Sequence, residues 1–265
     1  MKAALQHLGN HLAALPQDAA FPNGQPSVIF LQEMVPEDLA IIQSTPWVQS
    51  GFFITDIDSS NWLSFYGTTT LISRNLPVVQ VFRTSYTSDM GRDGLHVDIR
   101  DKSTVVRLCN THLESLKAHP RLRPGQVELA SQYLHAQFMD AGVIAGDFNA
   151  IEEFDRTLHT EYGLKDAYLE NGGVEGSEDG YTWGMQSGES GRQYGFSRLD
   201  KVLFCGKIQV KNLRRFVAGI KIEVGEDEEV EGLGEGEGSE TGQFITDHLG
   251  LMTDLYLERG SQLRV

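Results

Sequence analysis

The chain has 265 residues, 40% of them apolar and 9% aromatic, which suits one large folded domain rather than a disordered or fibrous polymer. No apolar run approaches the roughly 18 residues that a membrane span needs. The formal charge is −15, but nine acidic side chains and no basic one fall within residues 223–240; without them 28 acidic residues face 22 basic ones. The remainder is only mildly acidic, which excludes a protein that coats nucleic acid with a basic face. It suits an enzyme that meets a few phosphates with the help of a cation. Cys109 and Cys205 lie far apart, form no metal-binding spacing, and fit a reducing intracellular compartment, nuclear or cytoplasmic.

Leu5, Leu8, Leu12 and Leu15 recur at helical spacing, so residues 1–15 predict an amphipathic helix. Its polar interruptions, Gln6, His7, Asn10 and His11, are unlike a secretory signal. Residues 16–26 read as a loop rich in Pro, Gly and Asn. Ser27 to Leu31 is a short buried strand ending in Gln32-Glu33. Strands are predicted at Gly67 to Ser73, Pro77 to Arg83, Leu95 to Ile99 and Thr104 to Cys109. Pro124 opens a helix whose inner face carries Val127, Ala130, Leu134 and Phe138. A strand from Gly142 to Ala145 runs into Asp147, and residues 171–180 form a Gly/Glu/Ser loop. Lys201 to Phe204 and Lys221 to Val224 read as strands. Residues 225–243 are a low-complexity acidic insertion, best read as a solvated spacer. Phe244-Ile245 leads to Asp247-His248, and Leu249 to Leu257 closes as a strand. No repeat or linker divides the chain, so 1–265 is one domain and a monomer is expected.

The chemistry-bearing residues recur at strand ends. Glu33 follows one strand; Asn110, His112 and Glu114 follow another; Asp147 and Asn149 follow a third. Asp200 precedes a strand, and Asp247-His248 precedes the last. Layered α/β folds assemble sites at such places, where loops bring distant residues together. Carboxylates, a carboxamide and two imidazoles form a hydrolytic kit for phosphodiesters. Oxygen donors hold Mg²⁺, a carboxylate orients water, and donors stabilise the phosphoryl oxygens. No clustered Cys or His set suggests zinc. Each segment alone has an ordinary reading: Gly-Asp-Phe-Asn as a turn, Asp200 as an ion pair with Arg198 or Lys201, Asp247-His248 as a cap. The ordered set carries the argument.

Leu31-Gln32-Glu33, Asn110-Thr111-His112-Leu113-Glu114-Ser115, Gly146-Asp147-Phe148-Asn149, Ser197-Arg198-Leu199-Asp200 and Thr246-Asp247-His248 resemble the ordered motifs of the endonuclease/exonuclease/phosphatase superfamily. Tyr181-Thr182-Trp183 and Phe30-Leu31-Gln32-Glu33 look more like its 5′-tyrosyl-DNA phosphodiesterase branch than like apurinic endonucleases or inositol phosphatases. The resemblance implies a four-layer α/β/β/α sandwich of two mixed sheets. It implies Mg²⁺, with Mn²⁺ as a substitute, on Glu33, and a DNA 5′ end or another phosphodiester as substrate. Asp147 would activate water, and Asn149 and His112 would contact the scissile phosphate. His248 would stabilise the transition state with its ring held by Asp200, and Asp247 would support the metal's water shell. Tyr66, Trp183 and Leu199 occupy positions that wall the substrate groove in that branch, and Arg92 is a candidate for phosphate or the leaving group.

One departure stands out. The family begins with a strand ending in Asn, whereas Met1 already lies in the first predicted helix, and neither Asn10 nor Asn23 fits. The expectation is a sheet lacking its first strand. A phosphatase or nuclease acting on another phosphoester, and a catalytically impaired binding module, stay open as alternatives.

Overall fold

The computed structural model of the chain describes residues 1–14, 25–117, 122–222, 243–257 and 262–265. The predicted loop at 16–24 and nearly all of the acidic insertion lie outside the described residues. In chain order the elements are α1 (Lys2–Ala14), β1 (Val28–Met34), α2 (Pro36–Ser44), α3 (Pro46–Gly51), β2 (Phe52–Ile54) and β3 (Gly67–Ser73). Then come β4 (Val78–Ser85), β5 (Asp93–Asp101), β6 (Thr104–His112), α4 (Leu122–Leu134) and β7 (Ala141–Asp147). The rest are α5 (Leu158–Glu161), β8 (Lys165–Asp166), α6 (Ala167–Glu170), α7 (Gly188–Tyr194), β9 (Asp200–Gly206), β10 (Ile208–Phe216), β11 (Lys221–Ile222), β12 (Gln243–Phe244), β13 (Gly250–Leu257) and β14 (Gln262–Arg264).

The four expected layers are present. A six-stranded mixed sheet in the order β4-β5-β6-β7-β9-β8 has β6 and β7 parallel and its other pairs antiparallel. Alternation along its strands separates two cores, since successive side chains point to opposite faces. Val106 and Leu108 of β6 and Val143 and Ala145 of β7 join Val28, Ile72 and Leu255 in the core between the sheets. Cys109 and Ile144, one position out of phase, pack with Val127, Ala130 and Leu134 of α4. On the other side, Leu5, Leu39, Ile42, Val48 and Leu71 form the core under α1 to α3.

The second sheet is in two halves, β1-β3-β2 and β10-β13-β14. Among the described residues their backbones meet only where Ser27 bridges Arg264, with Arg264 N–H donating to the Pro26 carbonyl at 2.9 Å. Beyond that joint a cleft of about 370 Å³ separates β1 from β13, roofed by Leu5, Leu8 and Leu12 of α1 and floored by Ala145, Gly146 and Val202.

Two readings need correction. Phe138 is not on the inner face of α4: the helix ends at Leu134 and Phe138 is 80% exposed. The chain then leads into β7 at Ala141, with the Asp140 carboxylate just before it accepting the Val105 N–H at 2.9 Å. Strand β10 was not foreseen; Lys211, Asn212, Arg214 and Arg215 mask it, and its register against β13 shifts at Lys211/Arg214.

Candidate active site

Strand register assembles the centre of the site. His112 at the end of β6 pairs with Asp147 at the end of β7, and Asp147 pairs with Asp200 at the start of β9. Three residues far apart in sequence thus share one rung across adjacent strands. Side chains on such a rung point to the same face. His112 Nε2 lies 3.3 Å from Asp147 Oδ2.

The Gly-Asp-Phe-Asn segment has a backbone reason for its composition. Gly146 has φ +141°, and a Cβ there would sit 2.0 Å from the Thr111 carbonyl oxygen. No side chain fits, so the strand reaches Asp147 through glycine. Asn149 follows at φ +46°, in the left-handed region that asparagine tolerates. Its N–H donates to Asp147 Oδ1 at 2.7 Å and its carboxamide donates to the Leu113 carbonyl at 3.0 Å. The segment is a turn, as its composition suggests, and the turn holds the Asp147 carboxylate.

Glu33 is re-aimed by a bulge. The β1–β3 register slips between Leu31 and Met34, and Glu33 takes φ +58°. A bulge of this kind turns a side chain out of the pleat. The Glu33 side chain is 69% exposed, with Oε1 4.0 Å from His112 Nε2.

On the other flank, His248 Nδ1 lies 2.8 Å from Asp200 Oδ2. Asp200 makes this contact and not the ordinary pair with its sequence neighbours; Arg198 pairs with Asp166 and Glu175 instead. Burial opposes a charge on His248. The hydrogen bond to Asp200 and the carboxylates of Asp200, Asp147 and Asp247 outweigh it and hold the ring up to about 10. Burial also opposes the charge on Asp147, but His112, His248 and the Asn149 N–H hold that carboxyl below its ordinary value. At neutral pH the centre is a carboxylate beside an imidazolium. Asp147 can therefore orient or deprotonate water, and His248 can stabilise anionic oxygen.

The remaining predicted residues divide. Trp183 is half-buried, bridges Ser197 and His248 through its backbone, and donates from Nε1 to the exposed Asp247 carboxylate at 3.2 Å. Tyr66 is half-buried, with its ring 6.1 Å from that of His112. Leu199 is 5% exposed, and its backbone is spent on Phe148 and Thr182. Arg92, 4% exposed, contacts His112 rather than open solvent. Asn110 and Glu114 are wholly buried and structural. Asn110 ties β6 to Leu31 and Thr69, and Glu114 accepts from Ser88, Asp89 and Gln126. Thr182 was missed by sequence reasoning; its buried hydroxyl accepts the N–H groups of Leu199 and Asp200. Only its place beside Trp183 hinted at it.

Asp147, Asp200 and His248 place ligand atoms within 4.8 Å of one another. A charged His248 repels a cation, and Asp200 is committed to it. The Glu33 carboxylate, exposed and close to the rung, is an oxygen donor of the kind a hard divalent ion prefers. The donor chemistry of the site fits such an ion.

A sequence model described as the endonuclease/exonuclease/phosphatase family matches residues 1–248. The chain belongs to this family. Its members are metal-dependent phosphoesterases and nucleases, and the chain is accordingly a phosphodiester hydrolase. No curated protein matches the sequence significantly. Among solved structures it is similar to TDP2 from C. elegans, at 22% identity and a TM-score of 0.67, with 97% of this chain and 68% of that one covered. A truncated C. elegans TDP2 gives 20% identity, a TM-score of 0.66, and 97% and 89% coverage. D. rerio TDP2 complexed with a single-strand DNA product gives 17% identity, a TM-score of 0.64, and 93% and 88% coverage. These likenesses show the shared fold. Among the described residues no helix is long and apolar enough to cross a membrane.

Proposed function

We propose that the chain hydrolyses the phosphodiester of a 5′-phosphotyrosyl DNA end, with Mg²⁺ as the cation and Mn²⁺ as a substitute. The observation that carries this reading is the rung His112–Asp147–Asp200, extended by His248 through Asp200. The motif resemblance to the tyrosyl-DNA branch and the shared fold with TDP2, one structure of which holds a single-strand DNA product, support the substrate. Glu33 holds the cation, which when bound neutralises charge on the phosphoryl oxygens. Asp147 takes the proton of the attacking water. Asn149 and His112 present donors to the non-bridging oxygens, and the His248 imidazolium faces the charge that builds in the transition state. Asp200 keeps the His248 ring charged and oriented. Tyr66 and Trp183 wall the leaving side, and Asp247 anchors the Trp183 indole.

The test is release of tyrosine from a 5′-tyrosyl oligonucleotide. The expected result is Mg²⁺-dependent turnover that EDTA abolishes, and a fall in kcat of about 10²–10⁴ in Asp147→Asn. Equal or faster turnover of inositol phosphates or abasic DNA would overturn the substrate assignment. DNA binding by a folded protein without turnover would support the reading as an impaired binding module, for which the divided sheet beside Glu33 is the favouring observation.

A further inference from the structure

Arg92 enters the site from the loop between β4 and β5. That loop is pinned from below: the buried Glu114 carboxylate accepts from Ser88 Oγ at 2.6 Å and from the Asp89 N–H at 3.1 Å. Ser88 Oγ in turn accepts the N–H groups of Met90 and Arg92, each at 3.0 Å. The guanidinium so delivered has its Nη1 2.7 Å from His112 Nδ1, donates from Nη2 to Ser115 Oγ at 3.0 Å, and lies 5.1 Å over the Tyr66 ring. Its Nε–H is buried without an acceptor, so maximal hydrogen bonding is not what fixed its place.

A guanidinium carries donors only and keeps its charge at any working pH. The imidazole nitrogen facing it must therefore offer a lone pair. A proton on His112 Nδ1 would set two N–H groups head to head, beside a fixed positive charge. The ring proton consequently sits on Nε2, the nitrogen turned toward Asp147 and Glu33. The bond made by one ring nitrogen decides which form the other takes. His248 is wired the opposite way, its Nδ1 meeting the carboxylate of Asp200.

We propose that Arg92 is a positioning residue that fixes the His112 ring, keeping Nδ1 as the acceptor and turning the Nε2–H toward Asp147 and the reacting phosphate. The arrangement has a chemical use. The Nε2–H donates to a phosphoryl oxygen, and with Nδ1 engaged by Arg92 the ring cannot take the proton from the water in place of Asp147. The same guanidinium lies on Tyr66, so that ring and the tautomer that meets the phosphate share one support.

The experiment is a long-range ¹H–¹⁵N spectrum of protein labelled at histidine nitrogen, with His112 assigned through His112→Gln. The expected spectrum shows His112 protonated on Nε2 and not on Nδ1. In Arg92→Met, which keeps bulk and removes the donors, His112 becomes a mixture of tautomers, and kcat falls about 10–100-fold with KM unchanged. Arg92→Lys, which keeps a donor, recovers part of both. A wild-type spectrum with protonated Nδ1 on His112 overturns the proposal even if Arg92→Met fails to fold. So does an Arg92→Met protein that keeps the tautomer, or one that raises KM and leaves kcat alone. The kinetic arm rests on the hydrolysis proposed above and the spectrum does not. A wild-type chain without turnover but with Nε2–H His112 counts against the hydrolysis only.

Discussion

Replacing Asp200 with Asn keeps the shape of the site and removes the charge that holds a proton on His248. In the intact pair, burial works against the imidazolium, and the Asp200 hydrogen bond and nearby carboxylates raise it to about 10. Against an ordinary value of 6.5, that corresponds to roughly 5 kcal/mol of preference for the charged ring. The ring is 26% exposed, so water screens part of the interaction, and about 2–3 kcal/mol is a realistic share for the pair. With the carboxylate gone, His248 falls back toward its ordinary range. At pH 8 a ring with that ordinary value is charged in about 3% of molecules, a loss of about 30-fold from charge alone. Loss of orientation adds to it, and the expected fall in kcat is about 10²–10⁴.

The sign of the pH effect separates this reasoning from simple damage to the site. In the proposed reaction His248 works in its protonated form, so wild-type kcat should show no loss attributable to this ring until pH approaches 10. The Asp200→Asn protein should gain activity as pH falls through about 6.5. Stability follows the same rule: a raised value contributes fully below 6.5 and is lost as pH rises through about 10, so the gap between the two proteins should close at alkaline pH. Turnover against pH, chemical denaturation at about pH 6, 8 and 10.5, and an NMR titration of His248 measure the three effects. A wild-type His248 that titrates near 6.5, or an Asp200→Asn protein with unchanged kcat and pH profile, would refute the argument.

Other substitutions probe the scaffold. Gly146→Ala drives a Cβ to 2.0 Å from the Thr111 carbonyl, so kcat should collapse and the melting temperature should drop together, as activity assays and thermal scans would show. Asp155→Ala strands the Arg123 guanidinium, which is wholly buried and bonded bidentately to Asp155 at 2.8 and 2.7 Å; the expected cost is about 3–5 kcal/mol in a denaturant titration. Leu255→Ala opens the core between the sheets and should cost about 2–5 kcal/mol, with kcat per folded molecule unchanged at temperatures well below melting.

What the sequence disclosed depended on the range of the interaction involved. Gly146, Asp147 and Asn149 were legible because their chemistry answers a local backbone demand: a glycine where no Cβ fits and an asparagine in a left-handed turn. The rung was not. Placing His112 beside Asp147 requires the parallel β6–β7 crossover through α4, a long-range event that no local pattern encodes. Glu33 read as a strand end, and its exposure comes from a bulge set by its partner strand. Leu199 was given a groove position and Arg92 a contact with phosphate or the leaving group, while packing buries both side chains. In the case of Arg92, the cause is a buried carboxylate, Glu114, which lies 22 residues further along the chain.

The divided sheet bears on how the parts of the site are held. His112, Asp147 and Asp200 belong to one continuous six-stranded sheet, where backbone hydrogen bonds fix their spacing. Glu33 rides on β1 and His248 leads into β13, and these strands belong to different halves of the other sheet. Among the described residues the two flanks meet directly at the Ser27–Arg264 joint; otherwise each is held to the rung's sheet, β1 by packing and by the Gln32–Asn110 and Asn110–Leu31 hydrogen bonds. The distance from cation ligand to imidazolium is therefore softer than any distance within the rung. His248 has a direct tether in its bond to Asp200, and the Trp183 backbone bridge adds another. The Glu33 side chain itself makes the 4.0 Å approach to His112, its strand being tethered one residue earlier by the Gln32–Asn110 hydrogen bond. A cation held by Glu33 against the phosphate would complete the spacing that the sheet leaves loose, so metal binding should order the β1 side of the cleft more than the β13 side. Hydrogen exchange with and without Mg²⁺ should show protection rising at residues 31–34, with little change at residues 249–252. Equal protection on both sides would mean that the halves move as one body.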